Sequence, residues 1–318
     1  MPANVETMFY AGEVPWHGEG VYVGDKDVDS AQAIEAAGLD WTVKVEPVFL
    51  GNGNVISGEG AVVRQTDGSV LGMTSAKYTP VQNREGFQFM DSLVESGEMK
   101  YHTAGSLQGG KKVWILGKMP GQFEVVPGDI HDKFVLLALG HDGKTSIQGM
   151  PTTVRVVCAN TLGAAMHENR KNGGANSFKL KHTSQVHDRL AEARGILAQS
   201  EAQIAKYEEF CKTLAGKSMT SYQAEQFFID LMGGLRENKK GEMVIKGQSQ
   251  TLIDLFHGGR GNDMPGVRGT QWAAFNAVTE FANYKVGTKG QRSSNFGGVM
   301  FGSASNIIGK AAQALAKV

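Results

Sequence analysis

The residues most able to do chemistry in this chain are basic side chains set beside glycine turns and short apolar strands. Arg155 stands inside the run Thr153-Val-Arg-Val-Val-Cys158. Strand alternation puts Val154, Val156 and Cys158 on one face and Arg155 with Val157 on the other. A charged residue there is either solvent-facing or paired. The polar stretch HENRKNGGANSFKLK follows, at 167–181, and supplies Arg170, Lys171, Lys179 and Lys181, with His182 next. Phosphate binding needs several cations along one groove, and glycine lets backbone N–H groups assist. Phe178 offers a ring on which a base could stack. The plainer reading of this stretch is a solvated loop before a helix.

Two further groups have the same character. Lys111 and Lys112 follow Gly109-Gly110 and precede Trp114, as at the base of a hairpin. Such lysines either meet a nucleic-acid backbone or blunt an exposed strand edge. The loop from Gly258 to Thr270 carries Arg260 and Arg268, either of which could touch a phosphate. It lacks the closing Lys-Ser/Thr of a phosphate-binding P-loop, so a glycine loop capping the next helix is the safer reading.

Enzymatic signatures are weak. The sequence contains no HExxH, no GxSxG, and no GxGxxG placed after a strand. His17, in Pro-Trp-His-Gly-Glu-Gly, has no second ligand at metal spacing. His141-Asp142-Gly143 reads as a turn. The expectation is a non-catalytic chain with no metal and no cofactor. Catalytic groups assembled from distant positions are not visible at this level.

Composition bounds the setting. The 318 residues balance 32 Lys/Arg against 32 Asp/Glu, which excludes a uniformly basic DNA-coating protein. The charge is uneven: residues 1–60 hold ten acids and two bases, leaving 30 bases and 22 acids elsewhere. The two cysteines, Cys158 and Cys211, cannot form a zinc site and are expected as buried thiols. No leader-like or membrane-spanning run is seen, so a cytoplasmic protein with no membrane partner is expected.

The elements that must position these residues follow from pattern. The start, through Trp16 and Tyr22, reads as an aromatic loop-like arm. Ser30 caps a short helix over 31–37, and residues 42–50 alternate as a strand that Pro47 places at an edge. Asp67-Gly68 turns a hairpin between 61–65 and 70–74. Asn83 caps a helix ending near Gly97. Strands are expected at 111–118, 134–139, 145–148 and 153–157, then a helix from Asn160 or Thr161 to Met166. Helices at 184–215, 220–235, 252–256, 272–284 and 307–318 fill the remainder. The expected class is α+β: a curved antiparallel sheet with packed helices in the N-terminal half, and a helical C-terminal half. The expected division is a sheet domain over 1–168, a basic linker over 169–183 and a helical region over 184–318.

Several blocks together carry a family resemblance. They are the Glu6-Thr-Met start with Pro-Trp-His-Gly, LGMTSAKYTPVQNREGFQFMDSLV, AGSLQGGKKVW, HDGKTSI, TTVRVVCANTL and QWAAFNAVTEF. The chain resembles the phage/plasmid-like proteins that carry the domain of unknown function 932. That resemblance runs nearly full length and implies a phage, prophage or plasmid setting, but no assigned activity. The order of elements is also similar to the cores of RAD52-type single-strand annealing proteins, a fold-level analogy only. The resulting expectation is a homo-oligomeric protein that binds single-stranded DNA and anneals strands. The competing expectation is a phage accessory factor that binds a host or phage protein through its acidic N-terminal region.

Overall fold

The structure is a computed structural model that describes residues 5–12, 20–24, 27–155, 160–161, 178–197, 200–238, 240–245, 247–285 and 304–317. It is α+β, with most of its helices in the C-terminal half. The strands are β1 (Val5–Tyr10), β2 (Val21–Tyr22), β3 (Val43–Phe49), β4 (Val55–Arg64), β5 (Val70–Ser75), β6 (Lys100–Leu107), β7 (Lys112–Glu124), β8 (Ile130–Gly140), β9 (Ile147–Arg155), β10 (Asn160–Thr161), β11 (Phe178–Leu180), β12 (Leu235–Glu237) and β13 (Met243–Ile245). The helices are α1 (Ser30–Ala36), α2 (Asn83–Glu95), α3 (Val186–Leu197), α4 (Ser200–Ala215), α5 (Ser221–Leu231), α6 (Gly247–Gly258), α7 (Gln271–Tyr284) and α8 (Ala304–Ala316).

The main sheet has the order β10-β9-β8-β7-β6-β1-β2, with β11 also paired to β9. β6 pairs antiparallel with both β1 and β7, and β9 with both β10 and β11, while β1 and β2 run parallel over two residues. A separate sheet, β3-β4-β5, keeps β3 at its edge, where Pro47 is tolerated. Chain segments divide between two compact units. Unit 1 is 1–120, 134–151 and 171–201; unit 2 is 121–133, 152–170 and 202–318.

In unit 1 the core is built from alternate strand positions and one face of α2. Phe9, Phe87, Met90, Ala104, Ile115 and Leu137 are fully buried. Gly86 lets α2 approach the sheet, since a Cβ there would lie 2.8 Å from Leu139. The α2 start is fixed by the Gln82 N–H, which donates to Glu85 Oε2 at 2.6 Å. The Gln82 amide meanwhile bonds both backbone groups of Val43.

In unit 2 the central element is α7. Every residue from Gln271 to Asn283 is buried. Thr270 caps it, accepting from the Ala273 N–H at 3.2 Å. The Trp272 indole N–H donates to the buried Asp129 carboxylate at 2.7 Å. Asn262 ties the preceding glycine loop down by donating to the Leu255 and Ala273 carbonyls, both at 3.0 Å.

Several expectations are corrected. Residues 5–10 are a sheet strand and not a loop; Phe9 is fully buried against β6. Asn160 and Thr161 pair with β9 instead of starting a helix. Residues 147–155 form one strand that runs through Pro151. Within the long helix expected over 184–215 the described residues form two helices, α3 and α4. The charged loop near Glu237 to Glu242 is the tip of the hairpin β12–β13.

Candidate nucleic-acid interface

Three connections of unit 1 interlock. The first is the β6–β7 turn, where Gln108, Gly109 and Gly110 all have positive φ, of 57°, 67° and 83°. A left-handed run of this kind suits glycine and strains Gln108. The second is the β8–β9 connection. Asp142 folds it into a tight loop by accepting from the N–H groups of Lys144 at 2.9 Å and Thr145 at 2.6 Å, and from the Thr145 hydroxyl at 2.7 Å. The third joins β5 to α2 and passes through Tyr78 and Thr79.

Arg64 at the end of β4 holds the first connection in place. Its guanidinium makes a bidentate pair with Glu6 at 2.9 and 3.0 Å and donates to the Gly109 carbonyl at 2.8 Å. It also lies 4.5 Å over the Trp41 ring. The Ser106 hydroxyl donates to the same Glu6 carboxylate at 2.8 Å. The bond from Arg64, with help from Ser106, keeps Glu6 below the usual carboxylate range even though burial works against it.

The second connection is tied to the other two. The His141 N–H donates to the Lys111 carbonyl at 2.9 Å. The Tyr78 hydroxyl donates to the Gly140 carbonyl at 2.9 Å. Glycine is required at 72, where a side chain would run into the Asp142 backbone. Tyr78 also stacks on His182, with centroids 4.5 Å apart. His182 reaches the Thr79 carbonyl through Nδ1 at 3.1 Å, and its own carbonyl accepts from the Thr79 N–H.

The two histidines are held in defined states. Asn83 donates its amide N–H groups to the Leu39 and Trp41 carbonyls, at 3.1 and 3.4 Å, so its Oδ1 is the acceptor facing His141 Nε2 at 2.8 Å. That network assigns the His141 proton to Nε2 and leaves a lone pair on Nδ1, which has no hydrogen-bond partner. Complete burial, aided by His182 nearby, lowers the His141 pKa to about 3. Burial also lowers His182, against the opposing pull of the Thr79 and Thr145 carbonyls. For Asp142, burial is outweighed by the bonds from Thr145 and Lys144 and by Lys112, so its pKa falls. The ordinary state is therefore two neutral imidazoles beside one ionised carboxylate.

The expected binding residues separate on this frame. Lys111 is exposed in the β6–β7 turn and Lys112 half-buried beside it. Lys179 is exposed on β11, opposite Gln148, and Lys181 is exposed just beyond. His182 is buried in the network, so it positions the chain and does not face a ligand. Phe178 is corrected: its ring is 5 % exposed, meets Phe89 edge-on and fills the space left by Gly149, so it is a core side chain and not a stacking platform. Lys77 and Lys144, exposed in the same connections, were missed. The signal for Lys144 is its place in the His-Asp-Gly-Lys turn.

Others lie elsewhere. Arg155 ends β9 in unit 2, opposite Asn160, and its side chain falls outside the described residues. Arg170 and Lys171 fall outside the described residues altogether. Arg260 belongs to unit 2, where its guanidinium lies 4.7 Å over Tyr284 and 3.8 Å from Glu280. Arg268 is exposed in the same glycine loop. Cys211 is buried in α4, and Cys158 lies outside the described residues. Among the described residues no cluster of His, Cys, Asp or Glu could hold a metal ion, and no helix is long and apolar enough to cross a membrane.

The chain is α+β, and three connections of unit 1 are tied to one another by backbone and side-chain hydrogen bonds. The chain belongs to the family defined by the domain of unknown function DUF932, whose model matches residues 70–295. No curated protein and no solved structure matches it.

Proposed function

We propose that this chain is a phage- or plasmid-borne protein that binds single-stranded DNA through the lysine-bearing connections of unit 1, and that it works as an oligomer holding strands for annealing in the host cytoplasm. The observation that supports this reading is the meeting of three connections on one network. Lys111 and Lys112 join Lys144 through the His141–Lys111 bond, and Lys77 and Lys181 flank the Tyr78–His182 stack. Several cations on rigid, neighbouring turns suit a phosphate backbone, and no base-specific group is needed. The binding needs neither metal nor cofactor.

The test is fluorescence anisotropy with a labelled oligo-dT of about 30 nucleotides over a salt series. The fourfold variant Lys111/Lys112/Lys144/Lys181→Ala should lose roughly tenfold or more in affinity at low salt. Its slope against log salt should flatten by about 0.7 for each phosphate contact removed. An unmodified chain without affinity for any nucleic acid at low salt ends the proposal, as does a fourfold variant with the parent's affinity and slope.

A further inference from the structure

The β3–β4 hairpin changes character along its length. Near its base, Val43, Ala61, Val62 and Val63 are buried in unit 1. Toward its tip the sequence is Pro47-Val-Phe-Leu-Gly-Asn-Gly-Asn-Val-Ile-Ser-Gly58, a run with no acid, lysine, arginine or histidine. There Phe49, Leu50 and Val55 stand 57 %, 52 % and 56 % exposed. Phe49 lies across from Val55 in the ladder, so the three share one end of the hairpin and are not scattered surface residues. The turn between them is well bonded. The Leu50 N–H donates to the Asn54 carbonyl and the Gly53 N–H to the Leu50 carbonyl, both at 2.8 Å. The Asn54 N–H donates to the Asn52 side chain at 3.1 Å.

This arm grows out beside a lysine-bearing connection. β5 runs along β4 as far as the Glu59–Ser75 pair. One step on, the Ala76 N–H donates to the Gly58 carbonyl at 2.9 Å, and the Tyr78 N–H closes a turn on the Ser75 carbonyl at 3.0 Å. Exposed Lys77 stands between those two bonds in sequence. From Gly58 to Val55 is about 10 Å of strand. The apolar end therefore begins a short way beyond the cation.

Size and charge narrow the occupant. Three side chains a little over half exposed offer on the order of 300 Å². That is well short of the ~800 Å² each partner gives to a stable protein interface. Glu46 and Glu59 stand exposed at the two ends of the arm, and they repel an anionic lipid surface. A nucleic-acid base asks for less: one exposed ring gives it a stacking face, and the stack needs no charge. Bases within a duplex are already stacked on both faces, so such a ring selects unpaired strands.

We propose that this arm is the base-contacting part of the single-stranded DNA site, an inference that rests on the DNA-binding reading above. Phe49 stacks on an unpaired base, Leu50 and Val55 flank it, and the phosphate lies toward Lys77. The stacking role that Phe178 cannot fill, being buried, falls to Phe49.

The test is anisotropy with the labelled oligo-dT over the salt series, repeated with a blunt duplex. Phe49→Ala removes an exposed side chain, so its urea midpoint should match the parent's. Its affinity for oligo-dT should fall about tenfold, the scale of one lost base stack. Its slope against log salt should stay at the parent's value, because no phosphate contact is removed. Duplex affinity should not change. Phe49→Trp should bind oligo-dT at least as tightly as the parent. A Phe49→Ala variant with the parent's affinity overturns the inference, and so does a loss that comes with a flattened slope or appears equally on the duplex. If the parent and the fourfold lysine variant behave as expected while Phe49→Ala does not, this inference fails alone; a parent that binds no nucleic acid ends both readings. Sedimentation without DNA reads the other occupants. A smaller oligomer for Phe49→Ala would assign the arm to a second copy of the chain. Binding of the parent, but not of Phe49→Ala, to phosphatidylcholine vesicles would assign it to a lipid surface. Either result overturns the proposal.

Discussion

The His141 ring is wholly buried, with its Nε2 proton held by Asn83 and its Nδ1 lone pair facing no donor. An unfolded histidine takes up a proton near pH 6.5, but the folded one does so only at about 3. Between those values the unfolded state binds more protons, so stability must fall as pH drops through the window. His182 acts in the same direction. The depressed carboxylates of Glu6 and Asp142 add their loss only at lower pH, where they too begin to protonate. Urea unfolding at intervals between about pH 7 and pH 4.5 should show a slope approaching roughly 1 kcal/mol per pH unit on the acid side. A His141→Gln variant should have a flatter profile over that window, whatever its absolute stability. An unchanged slope would mean that His141 is protonated in the folded protein.

At the level of elements, β11 shows what the sequence could and could not convey. Its three residues alternate buried, exposed, buried, and its lysine faces outward as a period of two requires. What sequence hid was the partner of Phe178, which lies in the gap left by Gly149 and against Phe89 on α2. Phe178→Ala should therefore cost about 3–5 kcal/mol of stability, as for other buried aromatic truncations. A base-stacking role would instead lower DNA affinity and leave chemical denaturation unmoved. The hairpin at Asp67-Gly68, the existence of the helices after residues 29 and 82 and the edge position of Pro47 were legible because each depends on neighbours in sequence, but both caps fall one residue earlier than expected, at Asp29 and Gln82 instead of Ser30 and Asn83. The Arg64–Glu6–Gly109 tie was not, because its members come from β4, β1 and a turn after β6. The same holds for His141, whose motif reads as a turn until Asn83 and Trp41 are brought to it by folding. The lysines were visible as cations, but the ties between the turns that carry them are bonds between residues 30 or more apart, such as His141 to Lys111 and Tyr78 to Gly140.

Across the whole molecule, each unit has its own core and its own kind of surface. Unit 1 carries the lysine-bearing connections, while unit 2 is organised on α7. The α7 sequence, Gln-Trp-Ala-Ala-Phe-Asn-Ala-Val-Thr-Glu-Phe-Ala-Asn, has no polar side left for water, and its alanines admit close neighbours. A helix enclosed on every side cannot expose its amides by fraying or by a local ripple. Its hydrogens can leave only when the surrounding helices part. Native-state exchange should therefore find the α7 amides among the slowest in unit 2, with opening free energies near the global value for that unit and rising in step with it as denaturant is removed. Faster exchange in α7 than in α5 or α6 would show that the unit opens around its central helix instead of with it. The enclosure that makes α7 a scaffold thus also makes it the clock by which the unfolding of unit 2 can be timed.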